Sequence, residues 1–169
     1  MKEYENNYQA KAAQEPDNPY WQYMAGEAFL QAGDYLPAMP FFEKALELAP
    51  YHPESKRGCA ICLVMSGRHE QGLALCAELL ASVPIDFTAL LLSAEALIGL
   101  ERHQEAAKAY SQAAAIDYEA VPLMLRKLAL LTEQEPEKAR RFATEMDKVF
   151  PGLRPGLEQY DPIRATTLD

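Results

Sequence analysis

"GDYLPAMPFFEKALELAP", Gly33 to Pro50, and "GRHEQGLALCAELLASVP", Gly67 to Pro84, decide the reading of this chain. Gly33 and Gly67 stand 34 residues apart (67 − 33), and so do Pro50 and Pro84 (84 − 50). A period of this length marks a structural unit that cannot bury its apolar face alone and stacks on its neighbours. The same spacing relates Gly26, Ala60 and Ala94, all small, and Phe29, Leu63 and Leu97, all large and apolar. Ala38, Gly72 and Ala106 are small again; Phe42, Cys76 and Tyr110 fill an apolar slot. Ala45 and Ala113 agree, with Leu79 the exception between them.

Inside each unit the apolar residues recur at three and four, the spacing of one helix face. Gly33 and Gly67 fall where a helix C-terminus favours a left-handed residue. Each unit therefore reads as a helical hairpin, its small positions letting two antiparallel helices approach. Pro37 and Pro40 are expected in the first turn of the second helix, where the backbone N–H has no intrahelical acceptor. Pro50 and Pro84 are expected to end that helix.

These positions resemble the tetratricopeptide repeat family. The fullest copy is "NPYWQYMAGEAFLQAGDYLPAMPFFEKALELAP", which carries Gly26, Phe29, Gly33-Asp34-Tyr35, Ala38, Phe42, Ala45, Leu48 and Pro50. Trp21 stands one residue early of the usual aromatic slot, Gly72 replaces an alanine, and Glu101 replaces the turn glycine. The resemblance implies an all-α fold, a right-handed superhelical solenoid of antiparallel hairpins. Repeats are expected at 18–50, 51–84 and 85–118, preceded by a helix at 1–17 that reads as half of a missing repeat. A degenerate repeat or capping hairpin follows at 119–151, one residue shorter, and a tail at 152–169 has turn chemistry and little periodicity.

At 169 residues, 49% apolar and 24% charged, the chain is long enough to bury a core and is not of disordered composition. The net charge of −9 argues against nucleic acid, which needs clustered Lys and Arg. No apolar run approaches the ~20 residues of a membrane span, and a cytoplasmic location is expected. Cys59, Cys62 and Cys76 are an odd set. The C-x-x-C of Cys59 and Cys62 lies mid-helix without a preceding strand or a second ligand pair, so all three read as reduced, buried small residues.

Catalytic signals are weak. His69 and His103 occupy equivalent turn positions, where the first unit has Tyr35, and read as half-buried rings in place of tyrosine and not as a metal pair. His52 reads as a surface residue in a link. No phosphate loop, nucleophile elbow or H-E-x-x-H is present, so no enzyme, cofactor or metal is expected.

In the family the first helix of each pair lines a concave groove. The resemblance places Tyr20, Tyr23, Met24, Glu27 and Leu30 there, then Arg57, Ile61, Val64 and Met65, then Leu91, Leu92, Glu95 and Ile98, with Leu125 and Ala129 in the fourth hairpin. Relatives that hold the carboxyl-terminal EEVD tails of chaperones need Lys, Asn and Arg at positions that here are Tyr23, Glu27, Gly58, Thr88 and Leu92, and none matches. The expected function is a non-catalytic scaffold or adaptor holding an apolar peptide or helix of a partner protein in that groove. The alternative is a dedicated chaperone similar to those of type III secretion translocators, on grounds of size, acidity and "AYSQAAAIDYEAVP". Self-association is left open.

Overall fold

The computed structural model describes residues 2–151, and the expected tail lies outside the described residues. Among these the secondary structure is wholly helical: α1 (Lys2–Gln14), α2 (Pro19–Ala32), α3 (Tyr35–Leu48), α4 (Pro53–Met65), α5 (His69–Ser82), α6 (Phe87–Gly99), α7 (His103–Ile116), α8 (Ala120–Gln134) and α9 (Pro136–Val149). Helix starts keep the sequence period. Pro19, Pro53 and Phe87 are 34 apart (53 − 19, 87 − 53), as are Tyr35, His69 and His103 (69 − 35, 103 − 69). The fold is an all-α repeat of helices, as the periodicity predicts.

Two local devices recur with the period. The first is the turn inside each pair. Gly33 and Gly67 adopt φ of 81° and 82°, and Glu101 takes the same left-handed region at 58°. In each case the last turn closes by two backbone bonds: Gly33 N–H to Leu30 O at 3.0 Å and Asp34 N–H to Phe29 O at 2.9 Å, with Gly67 and Arg68, and Glu101 and Arg102, repeating the pattern. The second device caps the following helix. Asn18 Oδ1 accepts the Tyr20 N–H at 3.1 Å, His52 Nδ1 accepts the Ser55 N–H at 3.2 Å, and Asp86 Oδ1 accepts the Ala89 N–H at 2.9 Å. Asn18, His52 and Asp86 are themselves 34 apart. Each satisfies an amide that the first helical turn leaves without an acceptor.

The helices fall into two compact units, one through Leu92 and one from Ser93. In the first, α1 packs on α2, α2 on α3, α3 on α4, and α4 on α5. Its core is centred on Phe42, fully buried with Ala38, Met39, Cys59, Cys62 and Leu63. The Phe42 ring lies against two glycines, Gly26 on α2 and Gly58 on α4; a Cβ at either would come 2.9 or 2.5 Å from ring carbons. Absent side chains are what admit the ring. Trp21 turns toward α1, stacking on Tyr8 at 6.4 Å and donating to Glu15 Oε2 at 3.2 Å, while buried Gln22 donates to the Ala12 and Pro16 carbonyls. Its offset from the usual aromatic slot is thus used to seat α1.

The second unit packs α7 against α8 and α9, and α8 against α9. Tyr110 and Phe142 are buried with ring centroids 6.0 Å apart, and Met124 and Met146 of the same unit are also fully buried. On α9 the buried residues Ala139, Phe142 and Met146 recur at three and four, and Arg140 and Arg141 are exposed.

Pro37 sits in the first turn of α3 as expected, but Pro40 does not. It lies inside the helix, one turn further on, where its missing N–H leaves the Leu36 carbonyl without its intrahelical partner. Both residues are exposed, so the Leu36 carbonyl is open to solvent in place of the lost donor.

Candidate protein-binding face

The first helices of the first unit carry most of the residues expected to line a groove, and their exposure is graded. Tyr20 and Met65 are 56% and 51% exposed. Tyr23, Met24, Glu27, Leu30, Arg57, Ile61 and Leu91 are half-buried. Val64 and Leu92 are buried, as is Ile98 in the second unit, 2% exposed, so Val64, Leu92 and Ile98 belong to the core and line no open surface. On α6, "FTALLLSAEALIG", the reason is a nearly continuous apolar run, broken only by Thr88, Ser93 and Glu95, which leaves the phase of Leu91, Leu92 and Ile98 weakly marked. Leu125 and Ala129 on α8 are half-buried.

Three polar residues of this face in the first unit are drawn together. Tyr23 on α2 has its ring edge-on to His52 at 5.1 Å and tilted on Phe42 at 6.1 Å. Burial raises its phenol pKa, and the nearby Glu27 carboxylate raises it further. Arg57 on α4 reaches Asp86 with an Nη2 to Oδ2 distance of 2.8 Å. That hydrogen bond holds the guanidinium pKa above its ordinary value. Burial alone would raise the Asp86 carboxyl; hydrogen bonds from Arg57 and from the Ala89 and Thr88 amides outweigh it and hold the group below the ordinary range. Both Asp86 oxygens are thereby occupied, one capping α6 and one binding Arg57. Glu27 has no hydrogen bond or ion pair among the described residues; burial raises its carboxyl pKa, and the Arg57 charge opposes that only in part.

In the second unit Glu95 is engaged on both oxygens. Its Oε1 accepts the Tyr110 hydroxyl at 2.9 Å and its Oε2 lies 2.6 Å from Lys127 Nζ. The carboxylate ties α7 and α8 to α6, a role visible only once the helices are packed.

The histidines depart from their sequence reading in degree. His69 is half-buried as expected, but His103 is 7% exposed, and neither of its ring nitrogens has a hydrogen-bond partner. Burial lowers its pKa. His52, expected at the surface, is half-buried because it caps α4 and meets the Tyr23 ring. The signal that could have found it is the polar residue recurring at 18, 52 and 86 before each first helix. All three cysteines are buried and none is in a disulfide. Burial pushes the Cys59 thiol up to about 12 and the Cys62 thiol to about 11, so neither is a nucleophile at neutral pH.

An open polar cleft of about 500 Å³ in the second unit is lined by Glu101, Arg102, His103, Glu105, Arg141 and Glu145 among others. Within it Arg102 pairs with Glu105 at 2.6 Å and Arg141 with Glu101 at 3.2 Å, and Glu145 pairs with Lys148 outside the lining at 2.6 Å. Among the described residues no helix is long and apolar enough to cross a membrane.

Two sequence profiles described as tetratricopeptide repeat match the chain, over residues 29–86 and 63–121. No curated protein matches it. Among solved structures, residues 41 to the end of MamA from Desulfovibrio magneticus RS-1 align at TM-score 0.68 with 23% identity, covering 91% of this chain and 86% of that one. A double mutant of MamA RS-1 aligns at 0.67 with 23% identity, covering 88% and 84%. YrrB, described as a TPR protein with an unusual peptide-binding site, aligns at 0.62 with 17% identity, covering 90% and 79%. Helices that start every 34 residues, small residues where helices meet and the two overlapping profile matches agree: the chain belongs to the tetratricopeptide repeat family.

Proposed function

We propose that the chain is a non-catalytic interaction module whose first unit holds an apolar segment of a partner protein on the face carrying Tyr20, Tyr23, Met24, Ile61, Met65 and Leu91. The observation that carries this reading is the partial exposure of those side chains on successive first helices, where a wholly internal role would bury them. Large apolar side chains left half in water stabilise a complex when covered, each contributing about 1.5–3 kcal/mol on full burial, and methionines such as Met24 and Met65 adapt to the shape that covers them. Support by analogy comes from YrrB, a protein of similar fold described as having a peptide-binding site. Cysteines that are buried and not joined in disulfides fit a reducing compartment such as the cytoplasm.

The test is affinity purification with mass spectrometry, run on the wild-type chain and on the double variant Ile61→Ser, Leu91→Ser. Loss of the specific partner with helicity intact supports the reading. Retention of the partner by the double variant would move binding elsewhere and sink it. A single apolar secreted client in the wild-type sample would favour the chaperone alternative over the scaffold.

A further inference from the structure

We propose that Glu27 sets the specificity of this face by receiving a Lys or Arg side chain that the bound segment carries between its apolar residues. The proposal rests on the groove reading above and adds the chemistry of the occupant.

Glu27 lies on α2 one turn after Tyr23 and is half-buried, yet no donor among the described residues reaches its carboxylate. Removing a carboxylate from water without giving it a partner is unfavourable, and surface glutamates ordinarily avoid it by pointing outward. The nearest compensating charge is Arg57 across on α4, but its Nη2 is held by Asp86 at 2.8 Å, its buried Nε has no hydrogen-bond partner, and no ion pair joins it to Glu27. Asp86 in turn has both oxygens engaged, so it cannot serve an incoming cation. Glu27 is thus the acceptor left over on a face otherwise made of Tyr23, Met24 and Ile61.

A partner segment that is purely apolar would bury Glu27 further and leave it unpaired, at a cost. One that places an ammonium or guanidinium over it gains a charge-assisted hydrogen bond in partly dry surroundings. An acidic segment is rejected twice, by Glu27 and by the net charge of −9. The apolar side chains then supply affinity and Glu27 selects among segments of equal apolar content.

A phage-displayed random peptide library selected on the intact chain tests this. Wild type should enrich peptides with one Lys or Arg flanked by large apolar residues. Glu27→Gln, which keeps the shape of the side chain, should enrich the apolar residues without the basic one. For the best selected peptide, Glu27→Gln should weaken binding roughly tenfold or more. Replacing the peptide's own Lys by norleucine should cost the same, and the two losses should not add. The peptide-side change reads the pair even if the protein variant is poorly folded. Enrichment of apolar peptides with no basic position, or a basic position indifferent to Glu27→Gln, overturns the proposal while leaving the groove reading standing. Selected peptides that bind Ile61→Ser, Leu91→Ser as well as wild type overturn both.

Discussion

The ring of Phe42 occupies the space that a side chain at position 58 would need: a Cβ built on Gly58 would lie 2.5 Å from Phe42 Cε1. Gly58→Ala should therefore force a fully buried ring from its site and destabilise the chain by about 1–3 kcal/mol. Phe42→Leu, costly alone, should recover part of that loss when combined with Gly58→Ala, because the two changes share one volume. Urea midpoints of the two single variants and the double variant measure it, and strict additivity would refute the shared space.

Gly72 stands where the family pattern has alanine, so restoring alanine looks harmless from the sequence. The packing says otherwise, since a Cβ there would approach Val64 Cγ2 to 2.5 Å and the Val64 backbone nitrogen to 3.3 Å. Alanine's better helix propensity, worth about 1 kcal/mol, opposes this clash. Val64 is buried and on the stiff side of the rotamer range, and the clash should win, lowering the thermal midpoint. A variant more stable than wild type would show that α4 and α5 separate without cost.

Glu101 is a non-glycine residue in the left-handed region, at the turn that Gly33 and Gly67 occupy in the other two pairs. An L-residue loses roughly 1–2 kcal/mol there. Glu101→Gly should relieve it, offset by glycine's greater unfolded-state freedom and by the exposed ion pair to Arg141, which contributes about 0–1 kcal/mol. A net gain of about 0.5–1 kcal/mol in denaturant unfolding is expected, and no gain would mean the local φ carries no strain.

Pro40 interrupts the hydrogen-bond ladder of α3 within a solvent-exposed stretch. Pro40→Ala should restore the bond to the Leu36 carbonyl and stabilise the chain by about 1–2 kcal/mol, the full interior-proline penalty being reduced by the entropy that proline removes from the unfolded chain. Unchanged unfolding would indicate that the helix has already relaxed around the proline.

His103 provides a pH dependence with a definite sign. Its pKa in the folded chain lies below the ordinary value because burial disfavours the imidazolium, with Arg141 and Lys138 acting in the same direction and Glu101 and Glu145 against it. The neutral form is the one that folds. Its contribution is complete above the unfolded value near 6.5 and is lost as pH falls through that value toward the folded one. His103→Phe should therefore flatten the fall in urea midpoint between neutral and mildly acidic pH relative to wild type. An equal fall in both proteins would assign the acid sensitivity to carboxylates instead.

The repeat and its turns could be read from the sequence because they depend on local chemistry recurring at a fixed distance. Gly33 and Gly67 announce a left-handed turn by having no Cβ, and the three-and-four spacing of apolar residues announces helices wherever they pack. Even Glu101 takes its turn conformation from its place in the period. The candidate binding face was less legible. Helix α6 is a nearly continuous apolar run broken only by Thr88, Ser93 and Glu95, so little in its residues separates Leu91, half-exposed, from Leu92 and Ile98, buried. Which charges are free was not legible either. Glu27, Arg57 and Glu95 look alike as isolated charges along the chain, but contacts 29 and 15 residues apart commit Arg57 to Asp86 and Glu95 to Tyr110. Glu27 is left without such a partner. A period determines which side chains recur on each helix; only the packing of one helix on another decides which of them water still reaches and which charges are already matched.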